Sequence, residues 1–215
     1  GLWSLIKQRP FDSVADPIKS PKSIFISCFD SSPLAPDYDF MLSGKEKEFQ
    51  KGIDVISLLC DGKIHLNIDG DSNSRFFQKI EGVQLNKFYG PHPAGNVGTH
   101  IHFLDPAHAD KSVWHIGYQD VIAVGKLFST GKLWSERVVA LGGPQARNPR
   151  HLVARVGASL DDLLKDEFEG KDIRVISGSV FNGHHARGTF NYLGRYHNQI
   201  SLLKEGKERE FLGWG

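Results

Sequence analysis

The apolar positions of this chain change period several times, and each change predicts an element. Lys22-Ser-Ile-Phe-Ile-Ser-Cys-Phe29 is a nearly continuous apolar run, the pattern of a strand buried on both faces. From Lys45 to Leu59 the rhythm lengthens. Phe49, Ile53, Ile56 and Leu59 recur at steps of three and four between Glu and Lys, which predicts an amphipathic helix ended by Asp61-Gly62. A strand at Lys63–Ile68, a helix at Ser74–Ile80 and a strand at Gln84–Tyr89 follow. Alternation of this kind is the mark of βαβ units on a mainly parallel sheet.

Gly90-Pro-His-Pro-Ala-Gly-Asn-Val-Gly98 interrupts the rhythm and reads as a loop. His100-Ile-His-Phe-Leu104 alternates like a strand, Ile116–Phe128 carries a helical face, and Ser135–Leu141 returns to a strand. The order then changes. Val138–Ala140 and His151–Arg155 read as strands, and Gly157–Leu164 as a short helix capped by Ser159, with Asp161 and Asp162 in its first turn. Strands at Asp172–Ser177 and Asn198–Leu203 complete a compact α+β module, with a boundary near residues 136 to 142. Residues 1 to about 20 form a lead-in, with a short amphipathic turn from Trp3 to Gln8 that ends before Pro10. Glu210–Gly215 is strand-like and stops abruptly, and the chain starts with Gly rather than Met; both ends read as cuts in a longer protein.

Composition narrows the functional classes. A formal charge of +1 supplies no basic track for nucleic acid. No apolar run approaches the roughly 20 residues needed to cross a bilayer. Cys28 and Cys60 are too few for an iron–sulfur cluster and, among apolar neighbours, read as reduced core thiols.

A parallel sheet invites a dinucleotide, yet the turn after the first long strand is Asp30-Ser-Ser-Pro-Leu-Ala, without the glycines that admit a pyrophosphate. Independent NAD or flavin binding is therefore not expected, and no residue is assigned to catalysis or to a cofactor. On a strand, His100 and His102 would share one face and make a weak metal pair, but nothing supplies a third ligand. His184-His185 lies in a loop composition and reads as solvated. The lead-in mixes aromatic, aliphatic and cationic residues. Trp3, Arg9 and Phe11 are its candidates for a flat apolar head group with carbonyl oxygens, against the plainer reading that they pack on a neighbouring domain.

Several blocks carry a family resemblance: Gly1-Leu-Trp3 with Arg9-Pro-Phe11, Tyr89–His102, Trp114–Gly125, Arg137–Pro144, Arg174–Ser179 and Glu208–Trp214. In this order the chain resembles the family of A subunits of sodium-translocating NADH:quinone reductases. The resemblance implies a longer parent, with a lipoyl-like domain before this region and more chain after it. It implies a Rossmann-like domain over 21–136, similar to one in the flavin-carrying subunit of respiratory complex I and in the C subunit of the Rnf complex. A β-grasp domain of the soluble-ligand-binding type would occupy 137–203, and 204–215 would open the next segment. Such a subunit carries no flavin or iron–sulfur cluster; those belong to partner subunits, and ubiquinone is the substrate of the complex. It sits on the cytoplasmic side of the bacterial inner membrane and docks on a membrane subunit. The rival expectations are a nucleotide-binding soluble oxidoreductase domain and a pure scaffold module of an Rnf-like complex.

Overall fold

The computed structural model describes residues 1–170 and 172–207. The chain forms two compact units, one from Gly1–Ser32 and Asp37–Ser135, the other from Pro33–Pro36 and the chain from Glu136 onward.

The first unit is built on six strands: β1 (Lys7–Arg9), β2 (Ser13–Val14), β3 (Ser23–Cys28), β4 (Lys63–Asp69), β5 (Gln84–Phe88) and β6 (Val113–Gly117), in spatial order β2-β1-β6-β3-β4-β5. The four strands β6, β3, β4 and β5 pair in parallel. That order is half of a Rossmann-type sheet, and β3 lies at its centre with Ile24, Phe25 and Ile26 fully buried, as its apolar run predicts. The helices are α1 (Tyr38–Leu42), α2 (Glu46–Ser57), α3 (Val97–Leu104) and α4 (Tyr118–Thr130). Helix α2 buries Phe49, Ile53 and Ile56, three of the positions its periodicity marks.

Helices α2 and α4 meet backbone to backbone. A Cβ on Gly125 would lie 1.8 Å from the Glu48 carbonyl oxygen, and one on Gly52 would lie 2.1 Å from that of Val121. Only glycine at both positions permits that approach.

Four expectations for this unit are corrected. The lead-in is not a separate segment: after a 3-10 turn at Trp3–Leu5, β1 pairs antiparallel with β6 and extends the sheet. Tertiary pairing overrides the weak local preference for a helical turn. The strand expected at His100–Leu104 is the second half of α3, whose Val97, Ile101 and Leu104 pack as a helical stripe with Phe25 and Val113. The helix expected at Ser74–Ile80 shrinks to a 3-10 turn, Phe77–Lys79. There the Ser72 and Ser74 hydroxyls accept from the backbone N–H of Ser74 and Phe76, competing with helical bonds. Lastly, β6 precedes α4, so the helix expected from Ile116 starts at Tyr118.

The second unit contains β7 (Glu136–Gly142), β8 (Arg150–Arg155), α5 (Leu160–Leu163), β9 (Ile173–Ser177), β10 (His184–His185) and β11 (Gln199–Lys204), in order β10-β9-β11-β7-β8. A hairpin, a helix and a closing central strand parallel to the first make this a β-grasp sheet. Val139, Leu141, Ala154, Leu160, Leu164, Leu193, Ile200 and Leu202 form its core. His184 and His185, expected in an irregular loop, pair with β9. The strand-like Glu210–Gly215 and the Glu208–Trp214 block lie outside the described residues.

Ser159 caps α5, its hydroxyl accepting from the Asp162 N–H at 3.4 Å. Ser159→Ala is expected to cost about 1 kcal/mol, measurable as a lower urea midpoint for the second unit.

Candidate functional site

Open parallel sheets bind ligands beyond the carboxyl ends of their strands, where neighbouring strands send their connections in opposite directions. Here that place is between β3 and β6, at the turn Phe29-Asp30-Ser31-Ser32. Asp30 Oδ1 accepts from the Ser32 N–H at 2.8 Å and shapes the turn. The loop after β5 then closes over it. The Gly95 N–H donates to Ser31 Oγ at 2.9 Å, and Ser31 Oγ lies 3.2 Å from His92 Nδ1. A Cβ on Gly95 would stand 2.4 Å from the Ser31 nitrogen and 2.8 Å from Asp30 Cα. The chain's own backbone thus rests where a phosphate would approach.

His100 locks this loop in place. It is fully buried, with Nε2 2.8 Å from the Ala94 carbonyl and Nδ1 3.0 Å from Ser27 Oγ. A carbonyl only accepts, so Nε2 carries the proton and Nδ1 accepts from the Ser27 hydroxyl. The ring packs on Phe88 at 4.1 Å between centroids. Burial pulls its pKa down to about 4, against a smaller upward pull from the Ala94 carbonyl, so the imidazole is neutral near pH 7. His102 lies two residues further along α3, about 200° around the helix, and is exposed. The shared face that made the two a metal pair therefore does not exist. Among the described residues, no three His, Cys, Asp or Glu side chains are grouped to hold a metal ion.

The lead-in candidates separate. Arg9 ends β1 and Phe11 follows it in the turn to β2, with Arg9 Nε 3.3 Å from Asp12 Oδ1. The same oxygen is 2.8 Å from His115 Nε2, and Phe11 is 86% exposed. Burial lowers the His115 pKa, Asp12 pulls it up, and Arg9 adds a downward push. Trp3 makes its contacts elsewhere: its indole N–H donates to the Ala15 carbonyl at 2.8 Å and its ring meets Trp114 edge-on. The sequence reading missed Asp12 and His115, which are joined only by the β1–β6 pairing.

The second unit holds another serine–histidine pair, with Ser177 buried and His197 half-buried. Ser177 Oγ lies 2.9 Å from His197 Nδ1 and accepts from the Gly194 N–H at 2.9 Å. Burial, then His184 and Arg137, bring the His197 pKa to about 4.

Fold and site define a class: a Rossmann-like sheet with its phosphate turn covered by its own loop, followed by a β-grasp domain. Residues 1–133 match the family described as NqrA second alpha/beta domain, and residues 138–188 match NQRA C-terminal domain. The chain belongs to the NqrA family. It is 47% identical over 214 residues to the A subunit of the Na(+)-translocating NADH-quinone reductase of Histophilus somni (strain 2336), covering 100% of this chain and 48% of that one. Against the corresponding A subunit of Pseudomonas aeruginosa (strain UCBPP-PA14) it is 49% identical over 212 residues, 99% of this chain and 47% of the relative. It therefore spans about half the length of these curated relatives. Among solved structures, an NAD+-reducing [NiFe]-hydrogenase in the H2-reduced state shares the fold, with a TM-score of 0.62 and 13% identity over 88% of this chain and 41% of that one. No helix among the described residues is long and apolar enough to cross a membrane.

Proposed function

We propose that this chain is part of a peripheral subunit in a complex that oxidises NADH, reduces ubiquinone and exports Na+. It carries no redox cofactor of its own and works in assembly and at the quinone end, on the cytoplasmic side of the bacterial inner membrane. Flavins and iron–sulfur clusters belong to its partner subunits, among them a membrane subunit on which it docks. Its functional division follows the boundary near residues 136 to 142, with the sheet domain before it and the β-grasp domain after. Family membership supports this reading. The observation that carries it is Gly95, whose backbone covers the Asp30–Ser31 turn and leaves a pyrophosphate no approach to those amides. Calorimetric titration with NADH, NAD and FMN tests it. No saturable heat is expected, and micromolar binding of any of them would favour a nucleotide-binding oxidoreductase domain instead.

The exposed Phe11, in the turn that follows Arg9, supports the quinone contact, and Trp3, committed to Ala15 and Trp114, supports it least. In the intact complex, Arg9→Ala and Phe11→Ala should raise the quinone KM about three- to tenfold with normal assembly, about 1 kcal/mol of lost contact. Loss of assembly, with unchanged KM in the fraction of complex that still forms, would instead mark a scaffold.

A further inference from the structure

We propose that the excursion between β9 and β11, residues 178–198, is a docking surface for an acidic, partly apolar segment of another protein chain. This rests on the reading of the chain as a subunit of a complex. No Asp or Glu occurs from Ile173 to Lys204, a stretch that contains Arg174, Arg187, Arg195, Lys204 and three histidines. Within it Phe181, Phe190, Tyr192 and Tyr196 are exposed, Phe190 by 67%. Leaving four large rings in water forgoes burial that would otherwise stabilise the unit.

The rings are held out by an ordered backbone. Ser179 Oγ accepts from the N–H groups of Phe181 and Asn182. The Gly183 N–H donates to the Ser179 carbonyl, and the Ala186 N–H to that of Val175. A 3-10 turn at Gly188–Phe190 carries Phe190, whose ring meets His184 edge-on at 5.9 Å. His184 in turn lies 5.2 Å from His197, which is tied to Ser177. A preorganised loop loses little conformational entropy when a partner binds.

The chemistry selects the occupant. Aromatic rings with arginine are the usual energetic centres of protein interfaces. The full cations of the excursion are Arg187 and Arg195 alone. Holding a domain on an anionic bilayer takes a cluster of roughly four to eight cations, so two are too few. Among the described residues, the Leu160 N–H donates to the Asn191 carbonyl and so brings Asp161 and Asp162 toward one end of the excursion. The flanking carboxylates Glu205, close enough to His185 to interact with it, and Asp172 are already ion-paired with Arg174 and Lys207. With Asp161 and Asp162 toward the Asn191–Tyr192 end and both flanking carboxylates already paired, the Phe181–Phe190 side with Arg187 is the side for incoming negative charge.

The test uses the full-length subunit in its complex. Arg187→Glu and Phe190→Ser, made separately, should each lower recovery of the partner subunits about tenfold or more, with the Tm of the free subunit unchanged. A photo-crosslinking residue at position 190 should capture a segment bearing Asp or Glu in another subunit, and 0.5 M salt should reduce that capture. Cross-links confined to the subunit's own polypeptide, or to lipid, would overturn the proposal, as would full recovery with both variants. If the unaltered subunit recovers no partner at all, the complex reading fails with it, which sets that failure apart from one confined to this loop.

Discussion

Gly125→Ala should lower the stability of the first unit by about 3 kcal/mol, at the upper end of what overpacking costs. The added methyl would sit 1.8 Å from the Glu48 carbonyl oxygen and 2.9 Å from the Gly52 nitrogen. These are backbone atoms of a helix, so no side chain can swing away. Helices α2 and α4 must instead separate, and Phe49, Ile53, Val121 and Ile122, all buried, would lose close contact together. Urea unfolding followed by tryptophan fluorescence reads mainly this unit, because three of the four tryptophans, Trp3, Trp114 and Trp134, lie in it. Gly98→Ala is the matched control. It is helical, a Cβ there meets nothing within 4 Å, and its φ is not positive. That substitution should be neutral or stabilising by up to about 1 kcal/mol. Equal losses from the two would show that the α2–α4 contact does not set the effect.

Mild acid should weaken the fold well before its carboxylates protonate. His100 and His197 have pKa values near 4 in the folded chain against 6.5 for the free side chain. Between those values the unfolded state binds more protons, so stability falls as pH falls. It is fully present above about pH 6.5 and drains away toward pH 4. At about 1.4 kcal/mol per pH unit, this interval bounds the contribution of fully buried His100 at about 3 kcal/mol. Burial lowers His65 and His115 as well, which adds in the same direction. Urea midpoints at pH 7.5 and 4.5 should therefore differ clearly. His100→Gln should lower the midpoint at pH 7.5 and remove part of the difference in tryptophan fluorescence. A midpoint independent of pH across this range would mean that both rings are solvated.

The two histidines also mark where reading along the chain stops being sufficient. In isolation, His-Ile-His-Phe-Leu alternates as well as any strand does. Its helical state comes from a stripe that begins earlier, at Val97, and that finds Phe25 on a strand some 70 residues away. The covering of the Asp30–Ser31 turn was equally out of view. The missing glycines were legible after β3, but Gly95 and His92 had no visible relation to that turn until β5 returned beside β4.

By itself, the sequence determined the features that depend on neighbours within a few residues. These are the doubly buried strand at Ser23–Cys28, the amphipathic helix at Glu46–Ser57, the Ser159 cap and the hairpin–helix–strand order of the β-grasp unit. Period and capping are local properties, so a linear reading suffices for them. Only the tertiary structure decided which strand the lead-in joins, which face α3 buries, and which backbone fills the nucleotide end of the sheet. Each of those is a contact between distant segments, selected by the burial and pairing of the whole sheet and not by any residue's own preference.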